Sequence, residues 1–114
     1  AMLMHLGSLT TIASLKPKNF RHILMNNGVH ESVGGQDTAA KKINLSKVIK
    51  AVGYSKIFSA KTPQELRASI LRFMDCDGPS FMEVKIMPGS RVDLGRPTIK
   101  PISNKNSFMT FLEK

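Results

Sequence analysis

Apolar residues along the chain occur in blocks that alternate between helical and strand-like spacing. Residues from Met2 to Leu15 are apolar on most faces of a helix, and Pro17 follows them, which predicts a buried helix over Met2–Leu15. The continuous run Ile23-Leu24-Met25 predicts a strand over Phe20–Met25 that is covered on both faces. A polar segment, residues 28–43, follows this strand. Loops of this length in compact domains are usually functional or disordered.

The next block predicts two helices separated by a strand. Asn44 is expected to cap a helix whose apolar residues, Leu45, Val48, Ile49 and Val52, recur at helical spacing. Tyr54–Ala60 has the composition of a strand. Thr62 and Glu65 match the capping box of a second helix, with Pro63 in its first turn. The buried stripe of this helix is predicted to be Leu66, Ile70, Phe73 and Met74.

The last block predicts a strand, an arm and a short helix. In a strand over Ser80–Met87, alternation places Phe81, Val84 and Ile86 inside and leaves Glu83 and Lys85 polar. Residues 88–105, rich in Pro, Gly and basic residues, predict an extended arm, and Asn106 or Ser107 is expected to cap a final helix. The alternation of helices and strands predicts an α/β fold, a parallel sheet with helices on both faces and right-handed crossovers. The opening helix has no strand before it, so the first strand or strands of the sheet are expected to be missing.

Composition and charge narrow the possible functions. Hydrophobic residues make up 41% of the chain, and no apolar run approaches the ~20 residues that span a bilayer, so a membrane protein is not expected. The formal charge is +9, but the basic residues are scattered, and one Tyr with no Trp offers little for base stacking. This pattern argues against a nucleic-acid partner and suits anionic ligands such as phosphates and carboxylates. The single cysteine, Cys76, fits a reducing compartment, and a cytoplasmic location is expected.

Asn26-Asn27-Gly28 at the end of the first predicted strand is the main candidate for chemistry. A side-chain amide oxygen and a free backbone carbonyl can bind a hard cation such as Mg²⁺. Ligands of open α/β sheets bind outside the carboxyl ends of the strands, so the position agrees with this chemistry. Asn-Gly is also a common turn dipeptide, and a simple turn is the alternative interpretation.

Three segments resemble the thiamine diphosphate-dependent enzymes. They are residues 3–9, residues 26–36 with the sequence Asn-Asn-Gly-Val-His-Glu-Ser-Val-Gly-Gly-Gln, and residues 89–97 with the following Pro101 and Asn104-Lys105. In that family a Gly-Asp-Gly motif precedes Asn-Asn by about 25 residues of helix and strand. The resemblance implies that the chain begins just after Gly-Asp-Gly and forms the C-terminal part of the diphosphate-binding domain over residues 1–114. Residues 88–114 would be its C-terminal arm and short helix.

The resemblance implies a role for several residues. Asn27 would donate its side-chain oxygen to Mg²⁺, and the Val29 carbonyl would donate a second oxygen. Gly28 lies between these two metal ligands in the cofactor site, and Ala1 and Met2 would place the N-terminus of the first helix at the diphosphate. His30, Glu31 and Ser32 would face the substrate or order the loop. Gly34 and Gly35 would let the loop turn, and Arg91 and Arg96 would bind phosphonate or belong to a structural arm.

Within this family the chain is most similar to the phosphonopyruvate decarboxylases. The resemblance implies thiamine diphosphate and Mg²⁺ as cofactors, a small anionic 2-oxo acid as substrate, and decarboxylation of 3-phosphonopyruvate. The catalytic residue is not in this sequence, because the activating glutamate of the family lies on a separate pyrimidine-binding domain. That domain is the expected partner, within a homo-oligomer, and the chain alone is expected to be inactive. The two alternatives are a sulfopyruvate decarboxylase or another 2-oxo acid decarboxylase subunit, and a basic nucleic-acid-binding module.

Overall fold

The computed structural model describes residues 2–113 of the 114-residue chain. Its helices are α1 (Gly7–Leu15), α2 (Leu45–Ala51), α3 (Pro63–Asp75) and α4 (Pro101–Leu112). Its strands are β1 (Arg21–Asn26), β2 (Val29–His30), β3 (Gln36–Asp37), β4 (Lys56–Ala60) and β5 (Ser80–Lys85). Single 3-10 turns cover Met2–His5, Glu31–Val33 and Ala39–Lys41.

A parallel sheet with the strand order β1-β5-β4 forms the centre of the fold. β5 pairs with β1 from Arg21↔Ser80 to Asn26↔Lys85, and with β4 from Lys56↔Ser80 to Ala60↔Val84. All three strands therefore end at the same edge of the sheet. The predicted α/β fold with a parallel sheet and surrounding helices is confirmed.

Two apolar clusters cover the two faces of this sheet. On one face, Leu9 and Ala13 of α1 and Ile49 of α2 pack with Tyr54 and Phe81. On the other face, α3 contributes Phe73, which packs with Met82 and Val84 of β5. Successive side chains of a strand point to opposite faces, so Phe81 and Met82 belong to different layers. The result is three layers, with β5 buried between the helices on both sides.

The predicted alternation along β5 is wrong in three respects. Glu83 is buried, with 6% of its surface exposed, and Phe81 and Val84 lie on opposite faces. Ile86 is 40% exposed, because the strand ends at Lys85 rather than at Met87. A central parallel strand is covered on both faces, so nearly every residue is buried whatever its polarity.

The opening helix also differs from the prediction. A 3-10 turn over Met2–His5 precedes α1, which begins at Gly7, and α1 buries only Leu9 and Ala13. Met4 and Leu15 are each 75% exposed. α1 covers one side of the sheet, and nothing among residues 2–113 covers the outer side of this helix. One apolar face of α1 is therefore buried, and its other faces are exposed.

Smaller differences concern ends and faces of elements. Met74, predicted in the stripe of α3, is half exposed, whereas Phe73 is fully buried. α4 begins at Pro101 and is preceded by Lys100, so the helix starts before the predicted caps Asn106 and Ser107. The long polar loop contains the antiparallel pair β2 and β3.

The N-cap of α3 is Thr62, as the sequence predicts, but the reciprocal bond of the predicted capping box is shifted by one residue. Thr62 Oγ1 accepts a hydrogen bond from Glu65 N–H at 3.2 Å, while Glu65 Oε2 accepts from Lys61 N–H at 2.7 Å, one residue earlier than in the standard capping box. We expect Thr62→Ala to lower the free energy of unfolding by about 1 kcal/mol, because an amide of the first turn loses its acceptor. Urea unfolding of the native protein measures this loss. Thr62→Ser keeps the hydroxyl and is the control; equal losses in both variants would contradict the prediction.

The burial of His22 predicts that stability depends on pH. It lies on β1 with its ring 5.1 Å from that of Phe81 and 6.4 Å from that of Tyr54, and burial lowers the pKa of His22 below its ordinary value of 6.5. The unfolded chain therefore takes up a proton at a higher pH than the folded chain does. We expect the free energy of unfolding to fall as the pH drops below 6.5 and through the folded-state pKa. Urea unfolding across this range should show a shallower pH dependence for His22→Phe; equal slopes would refute the assignment.

Candidate functional site

The Asn-Asn-Gly motif lies where the chain leaves the carboxyl edge of the sheet. β1 ends at Asn26, and Asn27 and Gly28 follow it beside a cleft of about 280 Å³. Ligands of open α/β sheets bind at this edge. The residues that line the cleft come from the first turn, the end of β1 and the polar loop with the start of α2: Met2, Leu3, Met4, Leu24–His30, Thr38, Ala39, Ala40 and Leu45.

Asn26 connects the end of β1 to the central strand β5. Its side chain is buried, and its Nδ2 donates to Glu83 Oε1 on β5 at 2.6 Å. Its Oδ1 accepts a hydrogen bond from Gly28 N–H at 3.0 Å. Lys85 Nζ lies 2.7 Å from the same Glu83 oxygen, so the buried carboxylate has a cationic partner. One amide therefore fixes both the end of the strand and the turn that follows.

Asn27, the predicted metal ligand, is held at both ends of its amide. Its Nδ2 donates to Glu31 Oε2 at 2.8 Å, and its Oδ1 accepts from Val29 N–H at 3.2 Å. A carbonyl oxygen has two lone pairs, so Oδ1 can still bind a cation. Asn27 Oδ1 therefore points toward the backbone N–H of Val29.

The Val29 carbonyl, the second predicted ligand, lies on the same side. Val29 pairs with Asp37 across the β2–β3 ladder, and the preceding Gly28 carbonyl accepts from Thr38 N–H at 2.8 Å. Hydrogen-bonded and non-hydrogen-bonded positions alternate in an antiparallel pair, so the polar groups of Val29 point away from β3. The N–H and carbonyl of one strand residue point to the same side, so we expect the Val29 carbonyl on the side where the Val29 N–H reaches Asn27 Oδ1. Two neutral oxygens therefore face one region beside the cleft.

Gly28 permits the sharp turn between these two oxygens. Its φ is +73°, and a Cβ built there would lie 2.9 Å from Lys41 Cε. A larger residue would be strained by the backbone and crowded by the lysine stem. Gly28 therefore lets the Lys41 side chain lie against the turn.

The other predicted residues differ in where they lie relative to the cleft. Met2 and His30 line the cleft, and Ala1 lies outside the described residues. Glu31 bonds to Asn27, and Ser32 is exposed and is not among the residues that line the cleft. Gly34 and Gly35 both have positive φ, as the expected loop turn requires, and Arg91 and Arg96 are exposed on the arm. Since α1 begins at Gly7, the helix N-terminus expected at Met2 is instead a single 3-10 turn beside the cleft.

Sequence reasoning missed the charged residues around the motif. A smaller pocket of about 190 Å³ opens next to Asn26–Gly28 and is lined by Lys41 and Lys85 as well. Each ammonium group has an acidic partner, Asp37 for Lys41 and Glu83 for Lys85. The polar positions Glu83 and Lys85 were the available signal, but the two-residue period assigned them to solvent.

The donor set fits a hard cation that brings other ligands with it. Within residues 2–113, no group of three or more His, Cys, Asp and Glu side chains is placed to hold a metal ion. Asn27 and Val29 offer only two neutral oxygens. Mg²⁺ is often bound by few protein groups, with phosphate oxygens and water completing its octahedron. A diphosphate with Mg²⁺ therefore fits this site better than a free metal ion does.

Comparison with known proteins gives relatives over almost the whole chain. It is 37% identical over 109 residues to a phosphonopyruvate decarboxylase of Streptomyces hygroscopicus, covering 96% of this chain and 27% of that protein. It is 35% identical over 112 residues to a phosphonopyruvate decarboxylase of Streptomyces viridochromogenes, covering 98% and 28%. The chain thus spans about a quarter of the length of these relatives.

A third relative is more distant, and a family model covers the cleft. Sulfopyruvate decarboxylase subunit beta of Methanococcus maripaludis is 27% identical over 114 residues, which cover 100% of this chain and 60% of that subunit. The model of the thiamine pyrophosphate enzyme C-terminal TPP binding domain matches residues 1–84, a range that includes every residue lining the cleft. The chain belongs to the thiamine pyrophosphate enzymes, as part of their C-terminal TPP binding domain.

Proposed function

We propose that the chain is the diphosphate-binding part of a thiamine diphosphate- and Mg²⁺-dependent carboxy-lyase that converts 3-phosphonopyruvate to phosphonoacetaldehyde and CO₂. The placement of Asn27 Oδ1 and the Val29 carbonyl on one side of the turn beside the cleft carries the metal assignment. The identity of 37% and 35% to two phosphonopyruvate decarboxylases supports the substrate.

In this proposal the chain binds the diphosphate end of the cofactor through Mg²⁺. Asn27 Oδ1 and the Val29 carbonyl hold the cation, and Gly28 permits the turn between them. The backbone of the first turn, including Met2, lies at the cleft and would approach the diphosphate. Thiamine diphosphate, when bound, supplies the carbon nucleophile and the electron sink for the loss of CO₂.

The net reaction breaks the bond between C1 and C2 of the 2-oxo acid. The carboxylate leaves as CO₂, and a proton takes its place on the product. Leu24 and Leu45 give the cleft apolar walls, which would limit access of water to the bound cofactor. The activating carboxylate would come from a pyrimidine-binding domain, so this chain alone would be inactive and the site would be completed in a homo-oligomer.

Partners and location follow from the same proposal. The excess of basic residues suits the phosphonate, carboxylate and diphosphate groups of the ligands, and no role in nucleic-acid binding is proposed. No helix within residues 2–113 has the length and apolar character needed to cross a bilayer. A cytoplasmic location stays a prediction that rests on the single Cys76, a free thiol.

A sulfopyruvate decarboxylase is the second candidate. The Methanococcus maripaludis relative, a beta subunit, aligns with this chain from end to end. Sulfopyruvate is also an acidic 2-oxo acid, and the same metal site would serve it. Its lower identity of 27% makes it the second choice.

The Asn27 assignment predicts a metal-dependent defect. We expect Asn27→Ala to raise the Mg²⁺ concentration needed for half-maximal CO₂ release by at least about tenfold, because the cation loses a protein ligand. The assay uses the native enzyme that contains this chain, with thiamine diphosphate. Asn106→Ala, a change on the exposed face of α4 outside the cleft lining, is the control. An unchanged Mg²⁺ requirement in Asn27→Ala would exclude Asn27 as a ligand.

The substrate assignment predicts an order of preference. The native enzyme, offered 3-phosphonopyruvate, sulfopyruvate and pyruvate separately, should release CO₂ fastest per enzyme from 3-phosphonopyruvate. Preference for sulfopyruvate would keep the cofactor and replace the substrate with the second candidate. Failure to release CO₂ from all three acids with both cofactors present would reject the proposed activity.

A further inference from the structure

Glu31 connects the predicted metal ligand to the segment that follows the central strand. Its Oε2 accepts from Asn27 Nδ2 at 2.8 Å, and its Oε1 accepts from Gly89 N–H at 2.6 Å. Gly89 is 58 residues away in sequence and lies just beyond β5. Each oxygen of this carboxylate therefore has one donor, and the two donors belong to distant parts of the chain.

We propose that Glu31 is a positioning residue that sets the orientation of the Asn27 amide and so presents its oxygen to the cation. This inference rests on the proposed role of Asn27 as a Mg²⁺ ligand. An asparagine amide can turn over and exchange its oxygen for its NH₂ group. Only the oxygen binds Mg²⁺, so the wrong orientation removes the ligand without removing the residue.

The contacts of Asn27 favour one orientation at both ends. An ionised carboxylate only accepts hydrogen bonds, so Glu31 Oε2 requires the NH₂ group on its side. Val29 N–H only donates, so it requires the oxygen on the other side. A reversed amide would place an oxygen against the carboxylate and an NH₂ group against an N–H donor. Both contacts would then be repulsive.

Gly89 makes Glu31 an effective support. A lone exposed glutamate would move freely and could not fix a neighbour. The Gly89 N–H donates to an ionised oxygen, a type of bond that is shorter and stronger than a neutral one. Gly89 lies four residues after the end of β5, so the carboxylate is attached to the exposed segment that leaves the central strand.

The alternative role, direct contact with substrate, uses the same atoms differently. A substrate-binding Glu31 would accept from the ligand with oxygens that already accept from Asn27 and Gly89, so that contact would be added to these two hydrogen bonds. A substrate role also predicts loss of activity that does not depend on the state of Asn27. A positioning role predicts the opposite, because Glu31 acts only through that amide.

A double-mutant cycle in the native enzyme separates these roles. The readout is the dissociation constant of Mn²⁺, used in place of Mg²⁺ and followed by electron paramagnetic resonance with thiamine diphosphate present. The variants are Glu31→Gln, Asn27→Asp and the double variant. Asp93→Asn, which removes one exposed negative charge from the arm, is the charge control. Circular dichroism and thermal unfolding confirm that each variant is folded.

The two backgrounds should respond in opposite directions. With Asn27 present, Glu31→Gln leaves one side-chain oxygen for two donors, the Asn27 NH₂ group and the Gly89 N–H, so the support of the amide is broken at one end, and we expect Mn²⁺ to bind at least about tenfold more weakly. In the Asn27→Asp background, the amide introduced by Glu31→Gln can donate to the carboxylate introduced at position 27. The hydrogen bond between the two side chains then forms again with its direction reversed. Adding Glu31→Gln should then leave Mn²⁺ affinity unchanged or raise it. Asp93→Asn should change it by less than about twofold, as expected for an exposed charge that is paired with Arg91 and screened by salt.

Each contrary result has a distinct meaning. If Glu31→Gln weakens Mn²⁺ binding equally in both backgrounds, Glu31 acts through its charge alone and the positioning role is wrong. If Glu31→Gln has no effect in the Asn27 background, the positioning role is also wrong, while the metal site stands. If the wild-type enzyme binds no Mn²⁺ in the presence of thiamine diphosphate, the proposed metal site fails and the role of Glu31 fails with it.

Discussion

The candidate site depends on one buried hydrogen bond, from Asn26 Nδ2 to Glu83 Oε1 at 2.6 Å. β5 is packed on both faces, so Glu83 cannot move toward solvent without disturbing the core. Its carboxylate needs partners there, and Asn26 and Lys85 supply them. Asn26 Oδ1 then accepts a hydrogen bond from Gly28 N–H. The residue that pairs with the buried Glu83 carboxylate therefore also directs the chain toward the cleft. The hydrogen bond between Asn26 and Glu83 therefore also fixes the position of the turn that carries Asn27 Oδ1 and the Val29 carbonyl.

Much of the fold could be predicted because its signals are local. The Asn44 cap is confirmed by a bond from Lys47 N–H to its side-chain oxygen at 3.0 Å, and the Thr62 cap involves residues equally close in sequence. Neighbours within one turn determine such bonds, so the sequence alone specifies them. The order of helices and strands was predictable for the same reason. Asn-Asn-Gly was recognisable because its meaning depends on its position at the end of a strand.

The features that could not be predicted depend on contacts between residues that are far apart in sequence. Glu83 contacts Asn26 across 57 positions, and this contact follows from the Asn26↔Lys85 register of two parallel strands. Alternating polarity predicted solvent for Glu83, since a pattern within one strand cannot show what covers its other face. The exposure of α1 has a similar origin, because burial of its outer side depends on what packs there. The signal for the start of α4 was local, a Pro in the first turn, but it lay inside a segment that composition assigned to the arm.

The hydrogen bond between Gly89 and Glu31 restricts where insertions and deletions can be accepted during evolution. An insertion or deletion between Lys85 and Gly89 would change where this N–H lies relative to the loop after β1, so segment length there should be held constant among enzymes that keep the Glu31 contact. Beyond Ser90 the chain is exposed and irregular as far as α4. The stability of the fold depends little on the length of this part, because loop closure depends only weakly on the number of residues. The arm is therefore divided, within a few residues, into a part whose length is fixed and a part whose length is free.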